Sequence, residues 1–281
     1  MPTKIMVAVH NASPGAGTFA LATNWVQRLE GRIVGVGVVD ESTGVPASVL
    51  AGGAASRGNI VPPDTEALRA KAYKGVAHAL RELEEHCRQA GISYSQVEKA
   101  DGAEVEIALE AQRCDVVLLG RKADPDIDFG VPARTILTGI LRHSPRPVVA
   151  VPHHLQEGEG ILAAYDGSLQ AARALQALVA SGLTGLGPVT VVGVDSRSRE
   201  TAEEHAGRAV DYLAFRNFQV DSHTLVSDKS VEQVILEEAR ARGVELIVMG
   251  AYGRSRLAEF FLGSTTTKVM DGASAPVFLF H

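Results

Sequence analysis

The 281-residue chain predicts an α/β protein built from two tandem copies of one domain, each a parallel sheet flanked by helices. Three observations point there. Short apolar runs alternate with longer helical periodicities from one end to the other, the pattern of a parallel sheet covered by helices on both faces. The same order of elements occurs twice. The apolar runs are rich in Val, Leu, Ile and Ala while aromatics make up only 5%, which suits strands buried on both faces.

The repeat is visible in three places. Lys4–Ser13 parallels Gly160–Ser168, Asp115–Gly120 parallels Glu245–Gly250, and Arg146–Val151 parallels Ala275–Phe280. A period near half the chain length means duplicated domains, whereas solenoid units run about 20–50 residues. The expected boundaries are 1–153 and 159–281, and the polar, glycine-containing stretch from His153 to Gly160 joins them. Each half is long enough for its own core.

In the first half, strands are expected near 4–10, 32–39, 92–99, 115–120 and 147–152, with helices near 16–30, 65–90, 103–113 and 133–144. Pro62-Pro63-Asp64 is a start signal for the second helix, and Gly91 is its expected C′ residue. Before it, residues 41–63 are rich in Gly, Ala and Ser and too long for an ordinary connection. They read as a surface loop, or as a flap over a ligand or partner. In the second half, strands are expected near 160–165, 189–194, 218–226, 244–250 and 276–280, with helices near 169–181, 199–216, 230–242 and 264–273.

The most informative motif is Gly250-x2-Gly253-x9-Gly263-Ser264, between the apolar runs Glu245–Met249 and Pro276–Phe280. Glycines let the backbone approach an anion and adopt positive φ. A helix start adds unpaired N–H groups and the positive end of the dipole. The spacing is longer than in a Walker loop. Together with Arg254–Leu257, Phe261-Leu262, Lys268-Val269 and Ala275–Val277, the motif resembles the nucleotide-binding signature of the universal stress protein family. The resemblance extends over nearly the whole chain as two copies of that family's domain. It implies a Rossmann-like, five-stranded parallel sheet of order 3-2-1-4-5 in each half, and pairing of the halves through their last strands as an intrachain pseudo-dimer.

With that order, the ligand crevice lies where strand order reverses, between the first and fourth strands. The resemblance then implies an ATP site with Mg2+ in the second half. Tyr165 and Asp166 close the first strand, with Asp166 at the adenine and ribose end, and Val194 walls the base. Met249 and Gly250 lie along the nucleotide, and Gly253 and Gly263 shape the phosphate loop. Ser264 and Thr265, followed by Thr266, donate to the phosphates. Each residue also has a plainer reading. Asp166-Gly167-Ser168 makes a turn and helix cap, Met249 and Val194 are core residues, and Ser264 caps its helix.

The first half departs from the motif. Gly120 remains, but Ala123 replaces the second glycine, Arg134-Thr135 stand near Gly-Ser, and Asn11 replaces the aspartate. Asp124, Asp126 and Asp128 would repel a triphosphate, so weak or no nucleotide binding is expected here. These aspartates do not make an EF-hand, because Gly130 comes one place late and Thr135 stands where a bidentate Glu is needed. Gly15-x-Gly17-x-x-Ala20 with Asp40 imitates a dinucleotide fingerprint, but Gly15 stands too far beyond the strand end.

Net charge of −6 argues against nucleic acid as the main partner. Cys87 and Cys114 belong to no metal or redox motif and read as reduced structural residues. His153 and His154 read as linker residues rather than metal ligands. No signal-peptide pattern and no apolar run of about 20 residues is present, so the expected location is the cytoplasm, away from membranes. The leading functional expectation is a stress-response or regulatory protein in which ATP acts as a conformational or assembly switch. A slow ATPase or autophosphorylating protein, with Ser264 or Thr265 as acceptor, is a second reading. A nucleotide-independent partner-binding scaffold is a third. Pairing of whole chains as a homodimer is compatible with each.

Overall fold

The computed structural model describes residues 2–10, 15–39, 65–100, 103–121, 133–195, 198–251 and 262–281. The 41–63 segment, Asn11, Asp40, Ala123, the Asp124–Asp128 run, Gly253 and the Arg254–Phe261 stretch lie outside the described residues.

The elements alternate as β1 (Lys4–His10), α1 (Ala16–Arg28), β2 (Arg32–Val39), α2 (Thr65–Gln89), β3 (Tyr94–Ala100), α3 (Ala103–Ala111), β4 (Val116–Gly120), α4 (Ala133–His143) and β5 (Val148–Val151). They continue as β6 (Ile161–Ala164), α5 (Leu169–Ala180), β7 (Val189–Asp195), α6 (Arg199–Ala214), β8 (Val220–Val226), α7 (Val231–Arg242), β9 (Leu246–Gly250), α8 (Ser264–Gly272) and β10 (Val277–Phe280). A 3-10 helix at Leu183–Leu186 precedes β7. Its Leu183 and Leu186 lie three apart and are both buried, which fixes that turn.

All ten strands form one sheet, ordered β3-β2-β1-β4-β5-β10-β9-β6-β7-β8. Every neighbouring pair is parallel except β5 and β10. That antiparallel seam aligns Val277 with Ala150, Phe278 with Val149 and Leu279 with Val148. Phe278 is fully buried there, while Phe280 is only partly buried and lies beside the His281 ring. Strand order reverses between β1 and β4 and again between β6 and β9.

The repeat is written in the main-chain bonds. Pro147 and Pro276 cannot donate, but their carbonyls accept from Val117 and Ile247 at the head of each last strand pair. Asp115 N–H donates to Lys4 and Glu245 N–H to Gly160. Two apolar layers, one on each face of the sheet, run through both halves. Helix ends follow local chemistry. Gly91, at φ 67°, closes α2, with Ile92 N–H reaching back to Cys87 O at 2.8 Å and Gly91 N–H to Arg88 O at 3.3 Å. Gly243, at φ 58°, closes α7 in the same left-handed region.

The segment from Pro152 to Gly160 is tied to both halves. Glu159 N–H donates to Gly243 O at 2.9 Å, and Gly158 lies so close to the Val244 carbonyl that a side chain there would overlap it. At its other end, His153 and Leu155 pack against Gly15 and Gly17 at the start of α1. Burial pushes the Cys87 thiol up to about 11 and raises that of Cys114, as expected of inert core cysteines.

Candidate functional site

β6, β7 and β9 run side by side, so their C-terminal ends open on one crevice. Beyond β6 the chain turns sharply. Ser168 N–H donates to Asp166 Oδ1 at 2.9 Å, Gly167 adopts φ 73°, and the Ser168 hydroxyl accepts from Ala171 N–H at 3.2 Å to cap α5. The turn-and-cap reading therefore holds, and it leaves the Asp166 carboxylate exposed at the crevice mouth. The His205 imidazole of α6 lies over Gly167, filling the place of a Cβ.

Strand alternation sorts the remaining side chains by face. Met249 belongs to one apolar layer, and Ala164, Val194 and Leu262 are partly buried against that same layer. They form an apolar wall at the crevice. Tyr165 packs against the opposite layer, on the side of α6, so its ring does not join Val194 and Met249. Burial, and next Asp166, raise the Tyr165 phenol pKa, while Arg208 of α6 opposes them.

Gly250 ends β9 against the first turn of α5. A Cβ there would lie 2.7 Å from the main-chain carbon of Gln170. This close helix approach demands glycine whether or not a ligand binds. Gly263 is the N-cap of α8 at φ −55°, a conformation open to any residue. The positive φ expected of the motif glycines is found at neither position.

α8 starts next to this wall. Ser264 is exposed and Thr265 half-buried, and the first-turn N–H groups point out of the helix start. Thr266 is buried, and its hydroxyl donates to the Gly250 carbonyl at 3.4 Å. It pins α8 to β9 instead of facing a ligand. Lys268 Nζ reaches Glu232 of α7 at 2.5 Å, and that bond holds the Glu232 carboxyl below its usual range.

Asp166, Val194, Met249, Gly250, Gly263, Ser264 and Thr265 thus gather around one crevice, the side chains of Tyr165 and Thr266 turn to packing, and Gly253 lies outside the described residues. Ala164 joins the wall although the motif did not point to it, and Leu262 of the motif's Phe261-Leu262 pair joins it as well. Period-two counting from Leu162 would have found Ala164. A cavity of about 280 Å3 lies elsewhere, at the N-terminal ends of β9 and β10, lined by Leu236, Arg240, Val244 and Ala273 among others. Among the described residues, no group of three or more His, Cys, Asp or Glu side chains is placed to hold a metal. No helix among them is long and apolar enough to cross a membrane.

This strand order and crevice bear directly on comparison with known proteins. Residues 159–281 match the universal stress protein family. The chain is also 29% identical over 196 residues to a universal stress protein of Synechocystis, covering 69% of this chain and 68% of that one. A universal stress protein structure from Archaeoglobus fulgidus superposes with a TM-score of 0.64 at 18% identity, covering 98% of this chain and 97% of the other. A structure described as a putative universal stress protein from Pseudomonas aeruginosa gives 0.57 at 17% identity, over 99% and 93% of the two chains. At these identities the two structures establish the shared fold.

Proposed function

We propose that the second half binds an adenine nucleotide, ATP with Mg2+, as the switch of a stress-response or regulatory protein. The observation that carries this reading is the convergence of three unlike features where strand order reverses. They are an exposed carboxylate at Asp166, an apolar wall of Ala164, Val194 and Met249, and the N-terminus of α8 at Ser264-Thr265. A carboxylate suits ribose hydroxyls, an apolar wall suits a base, and helix N–H groups suit phosphates. The similarity of residues 159–281 to universal stress proteins supports the same reading. Magnesium would arrive with the triphosphate, and the Ser264 and Thr265 hydroxyls would be the groups available to help hold it. The antiparallel β5–β10 seam supports reading the two halves as an intrachain pseudo-dimer.

Calorimetric titration of nucleotide-stripped protein with MgATP, alongside Gly263→Val, tests the site. The φ of −55° at Gly263 is open to valine, and thermal unfolding of the variant without ligand separates loss of binding from loss of folding. One site per chain, lost in the variant, is the expected result. Absence of binding in folded, stripped protein would leave the partner-binding scaffold as the better reading.

A further inference from the structure

We infer that Arg121, at the end of β4 in the first half, is a positioning residue for the anion site at the start of α8 in the second half. This rests on the nucleotide reading above and describes how that site is held.

Arg121 Nη2 donates to the Ala273 carbonyl at 2.5 Å, across 152 residues of sequence. Ala273 is the C-cap of α8, and its own N–H bonds back to Val269 O at 2.8 Å. α8 has nine residues and no basic side chain in its last turn. Asp271 adds negative charge where the helix dipole is already negative. A helix this short is marginal without tertiary support. The first half supplies the missing cation. Burial pulls the Arg121 pKa down to about 10, with Asp271 acting the other way, so the guanidinium stays charged at neutral pH. Its partial burial also protects the contact from salt screening.

The duplication shows that this contact runs in one direction. Ala251 stands where Arg121 stands in the other copy, and it is fully buried. Both make the equivalent main-chain bond, Arg121 N–H to Val151 O and Ala251 N–H to Phe280 O, each at 2.8 Å. The backbones match, and at this position only the first-half residue carries a charge. The helix that presents Ser264 and Thr265 to the phosphates is thus completed at its far end, about 13 Å away, by the other half. Without that cation, the last turn frays and the first-turn N–H groups lose their fixed aim.

The test is MgATP titration of the full chain as wild type, Arg121→Met, Arg121→Lys and Arg121→Gln, with thermal unfolding followed on each. The expected result is an affinity about three- to ten-fold weaker in Arg121→Met and largely restored in Arg121→Lys, which keeps the charge. Arg121→Gln keeps a donor without the charge, and it gives the neutral measurement if the methionine variant does not fold. It should be weakened like Arg121→Met. A mere packing role would weaken lysine and methionine alike, and that outcome overturns the inference. Unchanged affinity in the neutral variants overturns it too, while leaving the nucleotide site intact. Failure of the wild type to bind would remove both the site and this role for Arg121.

Discussion

The Trp25 indole N–H donates to Glu245 Oε1 at 2.6 Å, although 220 residues separate them. Arg28, one turn on in α1, reaches both oxygens of the same carboxylate at 2.8 Å. Its other nitrogen donates to Leu186 O at 2.8 Å, at the end of the 3-10 helix. The first half's α1 is thereby locked onto the second half by a buried carboxylate that accepts from two of its side chains. Replacing Glu245 by Ala would leave the buried indole N–H without its acceptor and the Arg28 guanidinium without its carboxylate, held only by carbonyl and amide oxygens. The Arg28 side chain is 35% exposed and can rehydrate, so the expected loss is about 2–3 kcal/mol, below the usual cost of breaking a fully buried pair. Urea unfolding of Glu245→Ala, Arg28→Ala and the double variant would check it, the pair showing strong non-additivity.

Two motif glycines separate stability from binding. Gly250→Ala forces a methyl group against the Gln170 backbone and should destabilise the fold by about 1–3 kcal/mol. Gly263→Ala meets no strain at φ −55° and should cost at most about 1 kcal/mol, the usual loss at an N-cap. Thermal unfolding of both variants without ligand distinguishes them. Equal destabilisation would mean that Gly263 also has a packing role.

Much of the fold was legible because its signals are local. The alternation of apolar runs with helical periodicities locates the strands and helices, and Gly91 ends α2 because its left-handed backbone favours glycine. The two-copy reading needs only the repeated strings. The contacts that join the halves were not legible. Nothing near Glu245 in sequence announces Trp25, and nothing in Arg121-Lys122 announces Ala273. The glycine motif points to the crevice proposed above, but the structure demands Gly250 there because of α5 and not because of positive φ. Tyr165 was grouped with Val194 by adjacency to Asp166, whereas the two-residue period of a strand sends its ring to the other face. Leu183 and Leu186 look like loop residues until both are seen to be buried.

The Glu232–Lys268 pair makes a prediction about acid stability. Its hydrogen bond holds the Glu232 carboxyl below the ordinary value of 4.5. A carboxyl lowered in the folded state stabilises the fold above pH 4.5 and loses that contribution as pH falls through its folded value. Wild type should therefore lose stability more steeply below pH 4.5 than Glu232→Gln. Lys268 faces solvent, so screening limits the difference to about 0.5 kcal/mol. Denaturant midpoints for both proteins, taken from pH 6 down to acid, should converge at the acid end. Parallel curves would show that the pair does not persist in solution.

The split of the crevice by face gives the sharpest functional prediction. Met249 and Val194 belong to the side on which α8 starts, whereas the Tyr165 ring lies across the sheet against α6. A base seated on the apolar wall touches the first two residues and not the third ring. Tyr165→Phe should therefore leave MgATP affinity within about two-fold, since one hydroxyl outside the site contributes little to binding. Val194→Asp places a carboxylate against the base and should abolish measurable binding, because an unpaired charge is costly beside an apolar surface. Val194 is only partly buried, so this variant can keep its fold, and thermal unfolding without ligand verifies that. Should Tyr165→Phe lose binding while Val194→Asp retains it, the nucleotide base would lie on the α6 side, and His205 and Arg208 would replace Val194 and Met249 as its walls.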